Sequence, residues 1–425
     1  MTTIEHEHAR RSKPFFDVPL LLMMYALVAL GVLFISTATY NPSISVDAPL
    51  INKIINSNTG SWQAIFAVAS PIVVWFVVSI PYEQFRNYAR LFYYVVVALL
   101  VVVLGTSAIR NVSAWYQLAL GRMFQPSEFA KIAIILMLAR NMASNPKPMS
   151  TFKDALRLMM IVAVPALVTL AQGEAGSVIV MAAIFYIMIY FGGANWKWLL
   201  GLLLVAIIGI VTIFGYGIIS GSDDYRLLRI LSFLDPSKYT QSAGLQILNS
   251  QEAIGSGGLT GVGLFVVGSH SQLDFVPEDW TDFVFATVGE AVGFLGCVLI
   301  VTLYVLMILR MLYLARYTFD KFGQLIIIGV MAMLFFHVFQ NIAMTIGLMP
   351  ITGIPLPFIS YGGSNLLTNV IGVSLVLNVA KNRITVMPNF SATVAIPGKT
   401  RKRGKKAKVY VNVADQPRKR RSLGK

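Results

Sequence analysis

The chain has 425 residues, of which 56% are hydrophobic and only 12% charged. That charged share is about half of what a soluble domain carries, which excludes a soluble fold. The formal net charge is +15, but Lys and Arg gather in loops on one side of the apolar runs, so the excess marks membrane topology and not nucleic-acid binding.

A helix needs about 20 apolar residues to cross a bilayer. Apolar runs near that length predict spans at 18–37, 62–80, 90–106, 127–143, 155–171, 175–192, 196–220, 283–309, 323–347 and 359–380. The first run follows Arg10, Arg11 and Lys13, as a signal peptide would. It is too long for a signal core and no A-x-A site follows, so it reads as a retained span. The fold class expected is all-α: a polytopic membrane bundle of about ten transmembrane helices. Residues 1–17, the loops near 81–90, 144–156, 193–197 and 310–322, and the tail share one side and hold most of the 34 Lys and Arg. The positive-inside rule puts both termini in the cytoplasm.

The bundle is expected over 18–383, with a long connection at about 221–282 on the outer side. That stretch holds LLRILSFL, LTGVGLFVV and the Gly-rich GSGGLTGVG, which predicts short helices at the membrane surface, folded back onto the bundle. The tail 384–425 contains KTRKRGKKAK and PRKRRSLGK and reads as disordered. It either attracts anionic lipid or simply fixes topology. Cys297 is the sole cysteine, and His6, His8, His270 and His337 are scattered without partners at ligand spacing, so no metal site is expected.

Charge at membrane depth is costly and points to a site or a partner. Three places qualify. In QPSEFAK, residues 125–131, Glu128 and Lys131 stand i and i+3 on one helical face. They either hold helices together as an ion pair or line a cavity. In WTDFVFATVGE, residues 280–290, Asp282 and Glu290 lie two helical turns apart. Asp282 either caps the next helix, sits in solvent or belongs to a site, whereas Glu290 falls inside an apolar run. In GLMPITGIPLPFISYGGSN, residues 347–365, Pro and Gly are too dense for a continuous helix. Irregular backbone at that depth must be buried in protein or line a cavity; Ser360, Tyr361, Ser364 and Asn365 favour a polar cavity. Together they predict a polar cavity open to the outer face, lined by Glu128, Lys131, Asp282 and Glu290, and an enzyme acting on a lipid and a transporter fit that cavity equally well.

QPSEFAK, AIGSGGLTGVG, SQLDFVPEDWTDFVFATVGE and TGIPLPFISYGGSN, in that order, resemble the signature segments of the SEDS family (shape, elongation, division and sporulation). The resemblance covers about residues 15–383 and is closer to the RodA-like branch, through GSHSQLDFVPE and VGFLG, than to the FtsW-like branch. It implies a peptidoglycan glycosyltransferase that polymerises lipid II at the outer face of the bacterial plasma membrane, for elongation and rod shape, beside a class B penicillin-binding protein. It places the family's proposed catalytic aspartate on Asp282 and its ion pair on Glu128 and Lys131. The chain departs from the family at Trp280, at Ala114 before Trp115, at Leu245 and at Val262.

Inverting transfer from a lipid diphosphate needs a base beside the acceptor hydroxyl, for which Asp282 is the candidate. It also needs positive groups on the leaving diphosphate. Arg122, Arg226, Arg229 and Lys238 are candidates, with backbone N–H groups opened by Gly255, Gly257 and Gly258. A divalent cation such as Mg or Mn could take their place. The other readings are a flippase for a lipid-linked precursor and a non-catalytic scaffold for cell-wall enzymes. Gly329, Ala332, Ala343 and Gly372, small residues on the last two spans, are the expected docking face for the partner's membrane helix.

Overall fold

The computed structural model describes residues 16–41, 48–105, 114–117, 123–145, 148–220, 225–239, 243–273 and 275–382. The chain divides into two units. Residues 1–10 with 385–425 are one; residues 1–15 and the basic tail, with its expected disorder, lie outside the described residues. Arg11–Ile384 form the other, a helical bundle.

The helices are α1 (Val18–Ala38), α2 (Leu50–Asn56), α3 (Asn58–Ser79), α4 (Tyr82–Val103), α5 (Pro126–Ala143), α6 (Phe152–Ala171) and α7 (Ala175–Gly192). They continue as α8 (Trp196–Ser220), α9 (Tyr225–Leu234), α10 (Ala243–Ser256), α11 (Val284–Arg316), α12 (Lys321–Thr345) and α13 (Gly363–Asn382). A two-stranded hairpin pairs β1 (Tyr116–Gln117) with β2 (Met123–Phe124) just before α5. Every expected span coincides with one of these helices. Local chemistry sets many of their starts. The side chains of Asp17, Ser57, Thr151 and Asp320 each accept a backbone N–H from the first turn of α1, α3, α6 and α12. Pro126 opens α5, where its missing N–H is not needed.

Among the described residues, 8 helices are both long and apolar enough to cross a membrane, and the protein is a polytopic helical membrane protein. The other two long helices, α5 and α8, fall short of that measure for separate reasons. In α8 the described apolar stretch covers Trp196–Gly209. In α5 the sequence carries Glu128, Lys131 and Arg140. That helix tolerates charge because it is interior: Ala130 and the run from Lys131 to Ala139 are all buried.

The apolar windows of α12 and α13 are 78% and 83% buried, against 22% for α11. This corrects the expected partner face. Gly329 stands against Ile135 and Met188, Gly372 against Val330 and Met333, and Ala332 and Ala343 are buried. The small residues serve close packing inside the bundle, and none is presented to a partner helix.

The long connection is structured, as expected. It forms α9, a 3-10 turn at Pro236–Tyr239, and α10. Ser250 Oγ donates to the Thr345 carbonyl at 2.8 Å and Gln251 Nε2 to the Ile346 carbonyl at 3.0 Å, which pins α10 to the C-terminal end of α12. The Gly-rich segment that follows has a role the sequence did not suggest. Helix α11 is broken at Gly293, which adopts φ 63° and ψ −167°. The backbone groups freed by that break are taken up by the segment. Val262 and Gly263 donate to the carbonyls of Glu290 and Ala291 at 2.9 and 3.1 Å. Phe294 and Leu295 donate to those of Gly258 and Leu259 at 2.9 and 3.1 Å. A broken helix survives at membrane depth only where its free backbone groups are satisfied.

Gly261 makes this junction possible. Its φ is +83°, and a Cβ there would stand 2.2 Å from the Ala291 carbonyl oxygen. Gly255 has open space around it. Gly261→Ala is therefore expected to destabilise the protein by at least about 2 kcal/mol. Gly255→Ala, inside α10, is expected to be neutral or slightly stabilising. Thermal unfolding of both variants in detergent checks the pair; equal melting temperatures would remove the junction's structural role.

Candidate functional site

The irregular segment between α12 and α13 is buried in protein, with Ile351, Ile354, Leu356, Phe358 and Ile359 all interior. It clasps the residues just before α11. Three consecutive carbonyls are held: Trp280 by the Tyr361 N–H at 2.9 Å, Thr281 by Ser360 Oγ at 2.5 Å, and Asp282 by Asn341 Nδ2 at 2.7 Å. Ser360 Oγ also accepts the Leu356 N–H at 2.7 Å, and Asn341 Nδ2 donates to the Ile354 carbonyl at 2.7 Å. The backbone at 280–282 is thus fixed on both sides by groups from α12 and the clasp.

Asp282 emerges half-buried from this rail. A Cβ on Gly353, an exposed residue at φ +67°, would stand 3.4 Å from Asp282 Oδ2. The carboxylate therefore lies over a spot where the clasp has no side chain. It is not the helix cap. The N-cap of α11 is Phe283, which makes no side-chain cap bond.

A second group lies at the start of α5. The Gln125 N–H donates to Ser364 Oγ at 3.1 Å, tying α5 to the first turn of α13. The Gln125 side-chain amide donates to Glu174, in the turn between α6 and α7. Burial pushes the Glu174 carboxyl up to about 7, partly opposed by the hydrogen bond from Gln125. Deeper along α5, Lys131 Nζ is 2.7 Å from Glu128 Oε1 and 3.0 Å from His337 Nε2 of α12. His337 Nδ1 is 2.6 Å from the Met333 carbonyl, which can only accept. Nδ1 therefore carries the proton and Nε2 accepts from Lys131, so the imidazole is neutral. The three side chains are interior, at 1–3% exposure.

Glu290 has a different place from the one expected. It is 2% exposed and accepts the backbone N–H groups of His270 and Ser271 at 2.6 and 3.0 Å, and Ser271 Oγ at 2.8 Å. His270 Nδ1 adds a contact at 3.1 Å. It anchors the loop beyond the Gly-rich segment and does not face the Glu128 pair. Of the cations expected on the diphosphate, Lys238 pairs with Asp235 at 2.8 Å and is exposed. Arg229 is half-buried in α9. Arg122 and the side chain of Arg226 lie outside the described residues. Gly257 is buried against α11, as a packing glycine and not an open phosphate cradle. Among the described residues, no group of three His, Cys, Asp or Glu could hold a metal ion.

Sequence reasoning missed His337 and Glu174. The histidines were weighed only as metal ligands, yet a histidine in the middle of an apolar span is itself a signal of a buried polar partner. Glu174 gave no such signal, because it sits in a turn where a carboxylate is ordinary.

The whole bundle matches known proteins. The sequence fits the family described as FTSW_RODA_SPOVE, cell cycle protein, over residues 18–385. It is 33% identical over 373 residues to peptidoglycan glycosyltransferase MrdB of Escherichia coli, covering 87% of this chain and 95% of that one. It is 34% identical over 324 residues to stage V sporulation protein E of Bacillus subtilis, covering 75% and 86%. The fold superposes with TM-score 0.70 and 25% identity on a chain from a structure of a peptidoglycan synthase complex that coordinates polymerization and crosslinking, covering 87% and 98%. It superposes with TM-score 0.63 and 24% identity on RodA of Thermus thermophilus, covering 87% and 97%. A match that runs through the clasp, the Asp282 rail and the charged helix α5 alike makes the chain a member of the FtsW/RodA/SpoVE family.

Proposed function

We infer that this chain is a peptidoglycan glycosyltransferase of the plasma membrane that polymerises lipid II, with Asp282 as its general base. The observation that carries the assignment to Asp282 is its setting. Its backbone is held by Asn341 and flanked by the bonds to Ser360 and Tyr361, while its side chain lies beside the exposed Gly353. A carboxylate on a rigid rail can be kept within reach of an acceptor hydroxyl without ordering a loop at each turnover.

In the reaction, Asp282 takes the proton of the acceptor sugar hydroxyl as its oxygen attacks the donor's anomeric carbon. The bond from that carbon to the lipid diphosphate breaks, and the diphosphate leaves with the bonding electrons. An α-linked donor then gives a β-linked strand. The leaving group needs positive charge. Arg226, Arg229 and Arg122 remain the candidates, and a divalent ion such as Mg2+ or Mn2+ would supply the same positive charge. The distribution of Lys and Arg supports a topology with the Asp282 end of the bundle at the outer face and both termini in the cytoplasm. A class B penicillin-binding protein is the partner that would crosslink the product, and elongation is the process served.

Incubation of the purified protein with lipid II, alone and with a class B partner, tests the assignment. Glycan polymer is the expected product. Movement of labelled lipid II across vesicles with no polymer under any condition would replace it with a flippase.

A further inference from the structure

Helices α4, α5 and α6 meet around a pocket of about 170 Å³, lined among others by Arg90, Arg140, Arg157, Asn141, Ser144 and Asp154. Arg140 lies about 18 Å further along α5 than Glu128, so the pocket belongs to the end of the bundle remote from Asp282. Neither Asp282 nor the clasp contributes to it.

The fold holds like charges together here. Arg140 Nη1 donates to the carbonyls of Arg86 and Asn87 at 2.7 and 2.9 Å, which keeps its guanidinium against α4. Arg86 Nη2 reaches Ser144 Oγ at 3.4 Å from the same side. Among the described residues, none of Arg90, Arg140 and Arg157 takes part in a salt bridge. Asp154, the acidic residue in the lining, accepts from Ser150 Oγ at 3.2 Å and Thr151 Oγ1 at 2.8 Å at the start of α6. Its single negative charge, felt by Arg157, offsets one of the three guanidiniums and leaves two in excess. Clustered cations repel unless an anion sits among them, and the planar guanidinium fork suits phosphate oxygens.

Exposed apolar side chains stand within a turn or so of the lining residues Arg90 and Arg157 along the same helices. Leu91, Tyr94 and Val95 of α4 and Leu156 and Met160 of α6 are exposed large hydrophobic residues. Tyr94 and Val95 lie about one turn beyond Arg90 along α4, and Met160 about one turn beyond Arg157 along α6, towards the middle of each helix. A free phosphate ion gains nothing from such side chains, whereas acyl chains attached to the phosphate would lie along them. Basic pockets between transmembrane helices at a bilayer surface have this design. We propose that the α4–α5–α6 pocket binds the phosphate of an anionic phospholipid in the leaflet remote from Asp282.

The test uses the full chain in detergent, with binding of phosphatidylglycerol and phosphatidylcholine read by native mass spectrometry and by thermal shift. Phosphatidylglycerol should bind at least tenfold more tightly. The double variant R90Q/R157Q removes two exposed charges and leaves Arg140 and its backbone bonds in place. It should lose about thirtyfold in phosphatidylglycerol affinity, and each single variant about fivefold. Melting temperatures in phosphatidylcholine should not change. Equal affinity for the two lipids, or full phosphatidylglycerol binding by R90Q/R157Q, would overturn the proposal. Inorganic phosphate that stabilises the protein as well as phosphatidylglycerol does would assign the pocket to a soluble anion and overturn the lipid. None of these readouts involves lipid II, so failure here leaves the polymerase assignment untouched.

Discussion

Asp282→Asn is expected to fold normally and to lose at least about a hundredfold in lipid II polymerisation. General-base catalysis contributes about 10²–10⁴-fold, and Asn keeps the shape of the side chain while removing its basicity. The fold should not notice the change. The backbone at this position is held through its carbonyl by Asn341, and its neighbours by Ser360 and Tyr361. None of these bonds requires the carboxylate. The N-cap position of the helix that follows is Phe283 and not Asp282, so the substitution leaves that position unchanged. Polymerisation should be measured beside melting temperature and expression level. A variant that melts like the parent and makes no glycan supports the base; one that makes glycan at the parental rate removes Asp282 from the chemistry.

Much of this architecture could be read from the sequence because the bilayer imposes one length and one solvent. Long apolar runs have few alternatives in hydrocarbon, so the spans fell where the helices are. Glu128 and Lys131 were legible for a similar reason: on a helix, i and i+3 side chains meet whatever the fold. Contacts between distant segments were not legible. His337 of α12 meets Lys131 of α5, and Gln125 before α5 meets Glu174 between α6 and α7. The role of the Gly-rich segment was hidden because the break at Gly293 lies inside an otherwise unbroken apolar run. Glu290 stood out as a carboxylate inside an apolar run and was expected to line the cavity, whereas the structure gives it to the loop at His270 and Ser271. The small residues of α12 and α13 illustrate a limit of composition. Gly329 and Gly372 favour close packing, and sequence does not say whether the neighbour belongs to this chain or another.

The interior trio of Glu128, Lys131 and His337 should respond as a coupled unit, and unequally. Lys131 is bonded to both of the others. Lys131→Ala leaves a carboxylate in the middle of the bundle with its described partner gone, and breaking a buried pair in this way costs about 3–5 kcal/mol. Glu128→Ala strands the ammonium in the same manner, although His337 Nε2 still accepts from it. His337→Ala removes a neutral acceptor and leaves the ion pair whole, so its cost should be smaller, about 1–3 kcal/mol. The double variant Glu128→Ala/Lys131→Ala removes both charges together. It should be no less stable and no less active than the worse single variant, because the penalty of a stranded charge disappears with the charge. Melting temperatures and polymerisation rates for the four variants therefore form a double-mutant cycle with a large favourable coupling between Glu128 and Lys131. Additive losses in a well-folded double variant would give the two residues separate roles. Single variants that both retain parental stability and activity would mean that α5 carries this pair without depending on it.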